Sequence, residues 1–138
     1  MPKYKKLDHT ADIGIEVCGK RKEDVFISAV EAMEDLIVDL KSISADEEKT
    51  ITVIGAGEED LLINFLREAL YLFNGNGWLI KHCRAIDLSP QCVTARLQGG
   101  KYNPQKQQMK MEIKAITYHQ LSFHKTAQGW KARVFFDV

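Results

Sequence analysis

Asp12-Ile13-Gly14-Ile15-Glu16-Val17-Cys18-Gly19-Lys20-Arg21-Lys22-Glu23-Asp24-Val25-Phe26 changes its hydrophobic period halfway along. Ile13, Ile15 and Val17 alternate with Gly14 and Glu16, the period of two of a strand with one buried face, here over 12–18. Gly19 and the basic trio Lys20, Arg21 and Lys22 close it. From Glu23 the apolar residues Val25, Phe26, Ala29, Val30, Met33, Leu36 and Ile37 recur at helical spacing. That pattern predicts an amphipathic helix to about residue 40, with Glu23 and Asp24 facing the positive end of its dipole. A half-polar strand followed by a one-sided helix points to helices packed on one face of a sheet.

The rest of the chain follows the same grammar. Residues 42–49 are polar and acidic and read as a loop; 51–54 form a short strand closed by Gly55-Ala56-Gly57. Leu61, Leu62, Phe65, Leu66, Ala69, Leu70 and Phe73 make a second amphipathic helix. Asn74-Gly75-Asn76-Gly77 stops it, because Gly and Asn accept the left-handed conformation at a helix end. Residues 78–88 and 92–97 read as strands joined in a hairpin through Ser89-Pro90-Gln91. Residues 99–107 read as a polar connection. Met109, Met111 and Ile113 alternate with charged residues and open a strand running to Phe123, with a bulge where Ala115 and Ile116 break the alternation. After a turn at 126–129, Trp130, Ala132, Val134 and Phe136 alternate along a last strand. The expected order is β-α-β-α-β-β-β-β: an α+β fold of two layers, two helices on a mixed sheet of about six strands, in a single domain over 1–138.

Composition narrows the function. The chain has 138 residues, 45% of them hydrophobic, enough for a core without staples. Lys+Arg and Asp+Glu both number 19, so the formal net charge is zero, which argues against binding nucleic acid by bulk charge alone. Three widely spaced cysteines, Cys18, Cys83 and Cys92, with no Cys-x-x-Cys pattern, argue for a reducing compartment and against a structural zinc. No apolar leader and no membrane-length run is visible, so the expected location is cytoplasmic, with no membrane partner.

The chemistry-bearing residues concentrate near the two ends. Asp8-His9-Thr10-Ala11-Asp12 precedes the first strand and Phe135-Phe136-Asp137-Val138 finishes the last. If these strands pair, Asp12 and Asp137 share one acidic point, and two carboxylates there repel unless a cation or proton joins them. Asp8, His9 and the carboxylate of Val138 are neighbouring candidates. An oxygen donor set favours Ca2+ or Mg2+, with Mn2+ as a further candidate, over zinc. The alternative for each acid is a solvated strand end.

Other motifs read as structure. Gly55-Ala56-Gly57 lies where a phosphate-binding turn would lie, but Asp60 stands where the dinucleotide fingerprint needs a third glycine. Glu58, Glu59 and Asp60 would repel phosphate there, and no phosphate loop with Gly-Lys-Ser/Thr occurs. His119, His124 and Ser122 form no triad. Cys83 and Cys92 read as packed thiols. Lys114, ahead of a dense mixture of apolar and polar residues, reads as a strand lysine.

Asp-His-Thr-Ala-Asp at 8–12, Glu112-Ile113-Lys114-Ala115-Ile116-Thr117-Tyr118-His119, and Gly129-Trp130-Lys131-Ala132 with Phe136-Asp137-Val138 together resemble the archease family over essentially the whole chain. The resemblance implies an accessory protein rather than an enzyme. Its partner would be an RtcB-type RNA ligase, which joins 3′-phosphate or 2′,3′-cyclic phosphate ends to 5′-hydroxyl ends in tRNA splicing. Such a protein promotes transfer of GMP from GTP to the ligase and permits repeated turnover, touching RNA only through the ligase. The resemblance also implies an acidic metal site, which falls here on Asp12 and Asp137, with Asp8 and Val138 as neighbouring members. A further role the resemblance implies is as a chaperone-like modulator of an RNA-modifying enzyme. On the residues alone two rivals stay open: a metal-dependent phosphoester hydrolase using Asp12, Asp137 and His9, and an RNA-binding module using Lys3, Lys5, Lys6 and Lys20, Arg21, Lys22.

Overall fold

Alternation along residues 12–18 and 130–136 does produce two strands, and they are paired. A computed structural model describes residues 4–8 and 12–138. The elements are β1 (Lys5–Asp8), β2 (Asp12–Gly19), α1 (Lys22–Ile37), a 3-10 turn (Leu40–Ser42), β3 (Glu47–Ile54), α2 (Glu58–Asn76), β4 (Trp78–Ser89), β5 (Cys92–Lys101), β6 (Ala115–Thr126) and β7 (Gly129–Asp137). The α+β class stands, with two differences from expectation. The described residues hold seven strands rather than about six, in two sheets ordered β1-β2-β7-β6 and β3-β5-β4. Every pairing in them is antiparallel rather than mixed.

The extra strand is β1. Lys5-Lys6-Leu7-Asp8 is too short and too charged to show a period, and it exists as a strand because β2 offers it an edge. The strand expected from Met109 does not form. Residues 102–114 spend their backbone groups on scattered partners instead. Tyr102 donates to Gly77 O (2.8 Å) and Lys110 to Ile37 O (2.7 Å), and the Asn74 amide donates to Ile113 O (3.1 Å). Alternation there follows burial of Ile113 and half-burial of Met111, not a ladder. The chain joins a sheet only at Ala115. Residues 99–101, expected in a connection, extend β5, and β3 begins at Glu47, inside the expected loop.

Both helices pack against strands of both sheets, α1 on β2, β7 and β4, α2 on β6, β3, β4 and β5. One contiguous core results, with Phe26 of α1 stacked at a tilt on Phe65 of α2 (5.7 Å) and on Phe123 of β6 (5.9 Å). Asp24 accepts the Arg21 N–H (3.0 Å) and fixes the start of α1. At the other helix end, Gly77 takes φ 67° and returns its N–H to Phe73 O (2.8 Å), the left-handed stop expected from the Asn-Gly repeat. Among the described residues no helix is long and apolar enough to cross a membrane.

Candidate functional site

Two strands from opposite ends of the chain build the site. In the β2–β7 register Asp12 lies directly opposite Asp137, Gly14 opposite Phe135, and Glu16 opposite Arg133. Residues opposite one another share a sheet face. Ile15, Val17, Ala132, Val134 and Phe136 are buried in the core, so the two aspartates point the other way, to the outer face. Asp12 is half-buried and Asp137 exposed. Like charges directly opposite on a sheet destabilise it.

The floor beside the pair is rigid. Phe135 is buried although it sits on the outer face, because its ring lies across Gly14; a Cβ on Gly14 would come within 2.6 Å of that ring. On the far side His119 meets the Phe135 ring edge-on at 6.3 Å. His119 reaches it from an irregularity in β6. The β6–β7 pairing jumps from Thr117↔Phe135 to Ser122↔Arg133, and Gln120 takes φ 53°. The bulge expected at Ala115 and Ile116 is thus displaced to 118–121. Tyr118 anchors it, donating to Asp60 Oδ1 (2.9 Å) at the start of α2, with the Arg67 guanidinium over its ring (5.1 Å). The sequence signal for this bulge is the run Tyr118-His119-Gln120-Leu121, in which the period of two fails.

The other candidates fall as follows. Asp8 pairs with Ile13 through the backbone, next to Asp12 in register, but its side chain and all of His9 and Lys3 lie outside the described residues. Val138 follows Asp137 and is exposed. Lys114 is exposed and its N–H donates to Asp137 O (2.8 Å), so it ties the start of β6 to the acidic strand end. Among the described residues no three His, Cys, Asp or Glu side chains converge as a ligand group. The donor set there is the aspartate pair, one carboxylate half-buried and one exposed. That chemistry fits a hard cation that keeps several waters, and does not fit zinc.

Gly55-Ala56-Gly57 is closed to phosphate from within, since Asp60 Oδ2 accepts the Ala56 N–H (2.9 Å). Cys83 is buried, its thiol pushed up to about 12 first by burial and then by Glu31, so it is no nucleophile. Three further acids escaped the sequence reading. Glu34, fully buried on α1, accepts the Ile80 N–H (2.7 Å), and Glu31 accepts the Cys83 N–H (3.3 Å), both beside register shifts in β4. Burial pushes the Glu34 carboxyl up to about 8 and raises Glu31 as well. Asp35 takes the Leu40 N–H (3.1 Å) and the Tyr4 hydroxyl (3.0 Å). Helical spacing alone places Glu34 on the core side of α1, one position from Met33; its partner is visible only in three dimensions.

Residues 4–138 match the Archease protein family (MTH1598/TM1083). The chain is 40% identical to Protein archease of Methanosarcina barkeri over 98% of its own length and 95% of that protein's. It is 32% identical to Protein archease of Pyrococcus abyssi, with both chains fully covered. Its fold is similar to the solution structure of Methanobacterium thermoautotrophicum protein 1598 (TM-score 0.85, 24% identity, both chains fully covered). It is also similar to the crystal structure of a Thermotoga maritima archease described as a possible chaperone (TM-score 0.67, 24% identity, 97% and 96% covered). With the family matched from Tyr4 to Val138, across both strands that carry the aspartate pair, the chain belongs to the archease family.

Proposed function

We propose that this chain is a non-catalytic activator of an RtcB-type RNA ligase, acting through a divalent cation held at Asp12 and Asp137. The observation that carries this reading is the direct opposition of those two carboxylates on an open face, in a member of the archease family. Ca2+, Mg2+ and Mn2+ all suit oxygen donors, and their remaining positions would be filled by water or by phosphate oxygens. When bound, such a cation supplies charge compensation at phosphoryl oxygens, the main help available to a GMP transfer. The protein's own residues do the rest. Asp12 and Asp137 hold the charge at a strand end that can enter a cleft. Phe135, seated on Gly14, keeps the two strands from shearing. Lys114 pins Asp137 through the backbone.

The test is transfer of labelled GMP to an RtcB-type ligase, in the absence of RNA, with wild-type chain and with Asp12→Asn and Asp137→Asn. Wild type stimulates and neither variant does. Calorimetric titration with Mg2+, Mn2+ and Ca2+ shows binding to wild type that either substitution removes. Full stimulation by both variants sinks the site; no stimulation by wild type sinks the function.

A further inference from the structure

The zero net charge of the chain conceals a separation of charge on one sheet face. The registers set residues in rows across β1-β2-β7-β6. One row is Lys5, Glu16, Arg133 and Ser122; the next, toward the β2–α1 turn, is Cys18, Lys131 and His124. These rows share the outer face with Asp12 and Asp137, because Val17, Ala132 and Val134 between them point into the core. Lys5, Cys18, His124 and Arg133 are exposed and Lys131 is half-exposed, so no described element covers them. Glu16 is the sole acid of these two rows. Arg133 Nε donates to it at 2.7 Å, and Lys131 Nζ stands 3.9 Å away. The bond from Arg133, with the charges of Lys131 and Lys5, holds the Glu16 carboxyl below its usual range. Three cations around one anion leave a surplus of two. Beyond them Lys20 and Lys131 line a hollow of about 350 Å3 with Cys18 and Gln128.

We propose that this open face docks the sugar–phosphate backbone of a single RNA strand, with Lys5, Lys131, Arg133 and Lys20 meeting its phosphates. Phosphate contacts from Lys and Arg position a strand without reading its sequence, and the face supplies those cations. Lys131 and Arg133, two residues apart on one strand, stand about 7 Å apart, close to the phosphate repeat of an extended strand. Ser122 and His124 beside them can reach ribose hydroxyls. The aspartate pair at the far end of the same face repels phosphate unless a cation is bound there. The face is therefore directional, with RNA held on the basic rows and its reactive end able to approach the acidic end. Only the choice of RNA over another polyanion rests on the proposed ligase role, and this direct contact stands in place of the expectation that RNA is met only through the ligase.

The experiment is fluorescence anisotropy of a labelled single-stranded RNA with the isolated full chain, at roughly 50 and 200 mM salt. Wild type binds, and more tightly at the lower salt. The double variant Lys5→Glu/Lys131→Glu weakens binding by about tenfold or more, and Lys131→Ala reduces the salt slope by about 0.7. Glu16→Gln, which removes the anion, strengthens binding severalfold, an effect no unfolded variant can mimic. Absence of RNA binding by wild type at the lower salt overturns the proposal, as does binding unchanged in both the double variant and Glu16→Gln. A double variant that binds RNA normally but has lost affinity for the ligase also overturns it, and assigns the face to an acidic protein surface. The GMP-transfer assay contains no RNA, so its failure is separate: the double variant stimulates it as wild type does.

Discussion

Carboxylates are used in two opposite ways in this molecule. Asp12 and Asp137 face each other across β2 and β7 on the outer face of the sheet. Glu34 lies fully buried on α1, with Oε1 held by the Ile80 N–H and Oε2 without a hydrogen-bond partner among the described residues. Asp12 is half-buried and Asp137 exposed. Glu34 has no such exposure, and burial keeps it protonated at neutral pH. Position in the fold, not residue type, sets the two kinds apart: the sheet-end acids face outward, and the helix acids Glu31 and Glu34 satisfy backbone groups that the irregular strand β4 leaves over.

Breaking the buried side of this contrast has the largest expected effect. Glu34→Ala removes a fully buried side chain and strands the Ile80 N–H, at a cost of about 3 to 5 kcal/mol in denaturant unfolding. The pH dependence of stability sharpens the same point. The folded carboxyl of Glu34 is raised to about 8 from its ordinary value of 4.5. Between those values the native state therefore binds more protons than the unfolded chain. Its contribution is fully present below the unfolded value and is lost as pH rises toward 8, with Glu31 adding in the same direction. Unfolding curves from pH 5 to 8 show stability falling with pH, and Glu34→Gln flattens the fall.

The open side answers differently. Asp12→Ala or Asp137→Ala lowers stimulated GMP transfer by about 100-fold, while the unfolding free energy stays within about 0.5 kcal/mol of wild type. A loss of stability matching that of Glu34→Ala would erase the distinction between the two kinds of acid. Gly14→Ala probes the floor between them. The new Cβ meets the Phe135 ring at 2.6 Å, so the strands must shift, costing about 1 to 3 kcal/mol and part of the stimulation with it. The smallest effect is expected for Tyr118→Phe. Losing one exposed hydrogen bond to Asp60 changes stability by about 1 kcal/mol or less, read as a small drop in Tm.

Much of this was legible in the residues. The switch of period between Val17 and Val25, the apolar stripe from Leu61 to Phe73 and the Asn-Gly stop at Gly77 gave both helices and the α+β class, because each depends on local spacing. Asp12 and Asp137 were legible as a pair for a similar reason, since each ends an alternating strand. The split into two sheets was not. Two helices that pack on both sheets carry the same one-sided stripe as helices on a single sheet. Lys5–Asp8 became a strand only by pairing with β2, and 109–114 failed to become one for want of a partner. The His119 bulge was misplaced by a few residues, since alternation fails at Ala115 for one reason and at Tyr118 for another. Lys5, Lys131 and Arg133 converge on Glu16 through strand register, which no count of charges reveals.

The pairing of β2 with β7 also has a kinetic meaning. Strands that are neighbours in space but far apart in sequence close late, because a long loop must lose its freedom before the contact repays it. Asp12 comes to face Asp137 only once that closure is made. An incompletely folded chain, however helical, has two separated aspartates, so their meeting reports a finished fold.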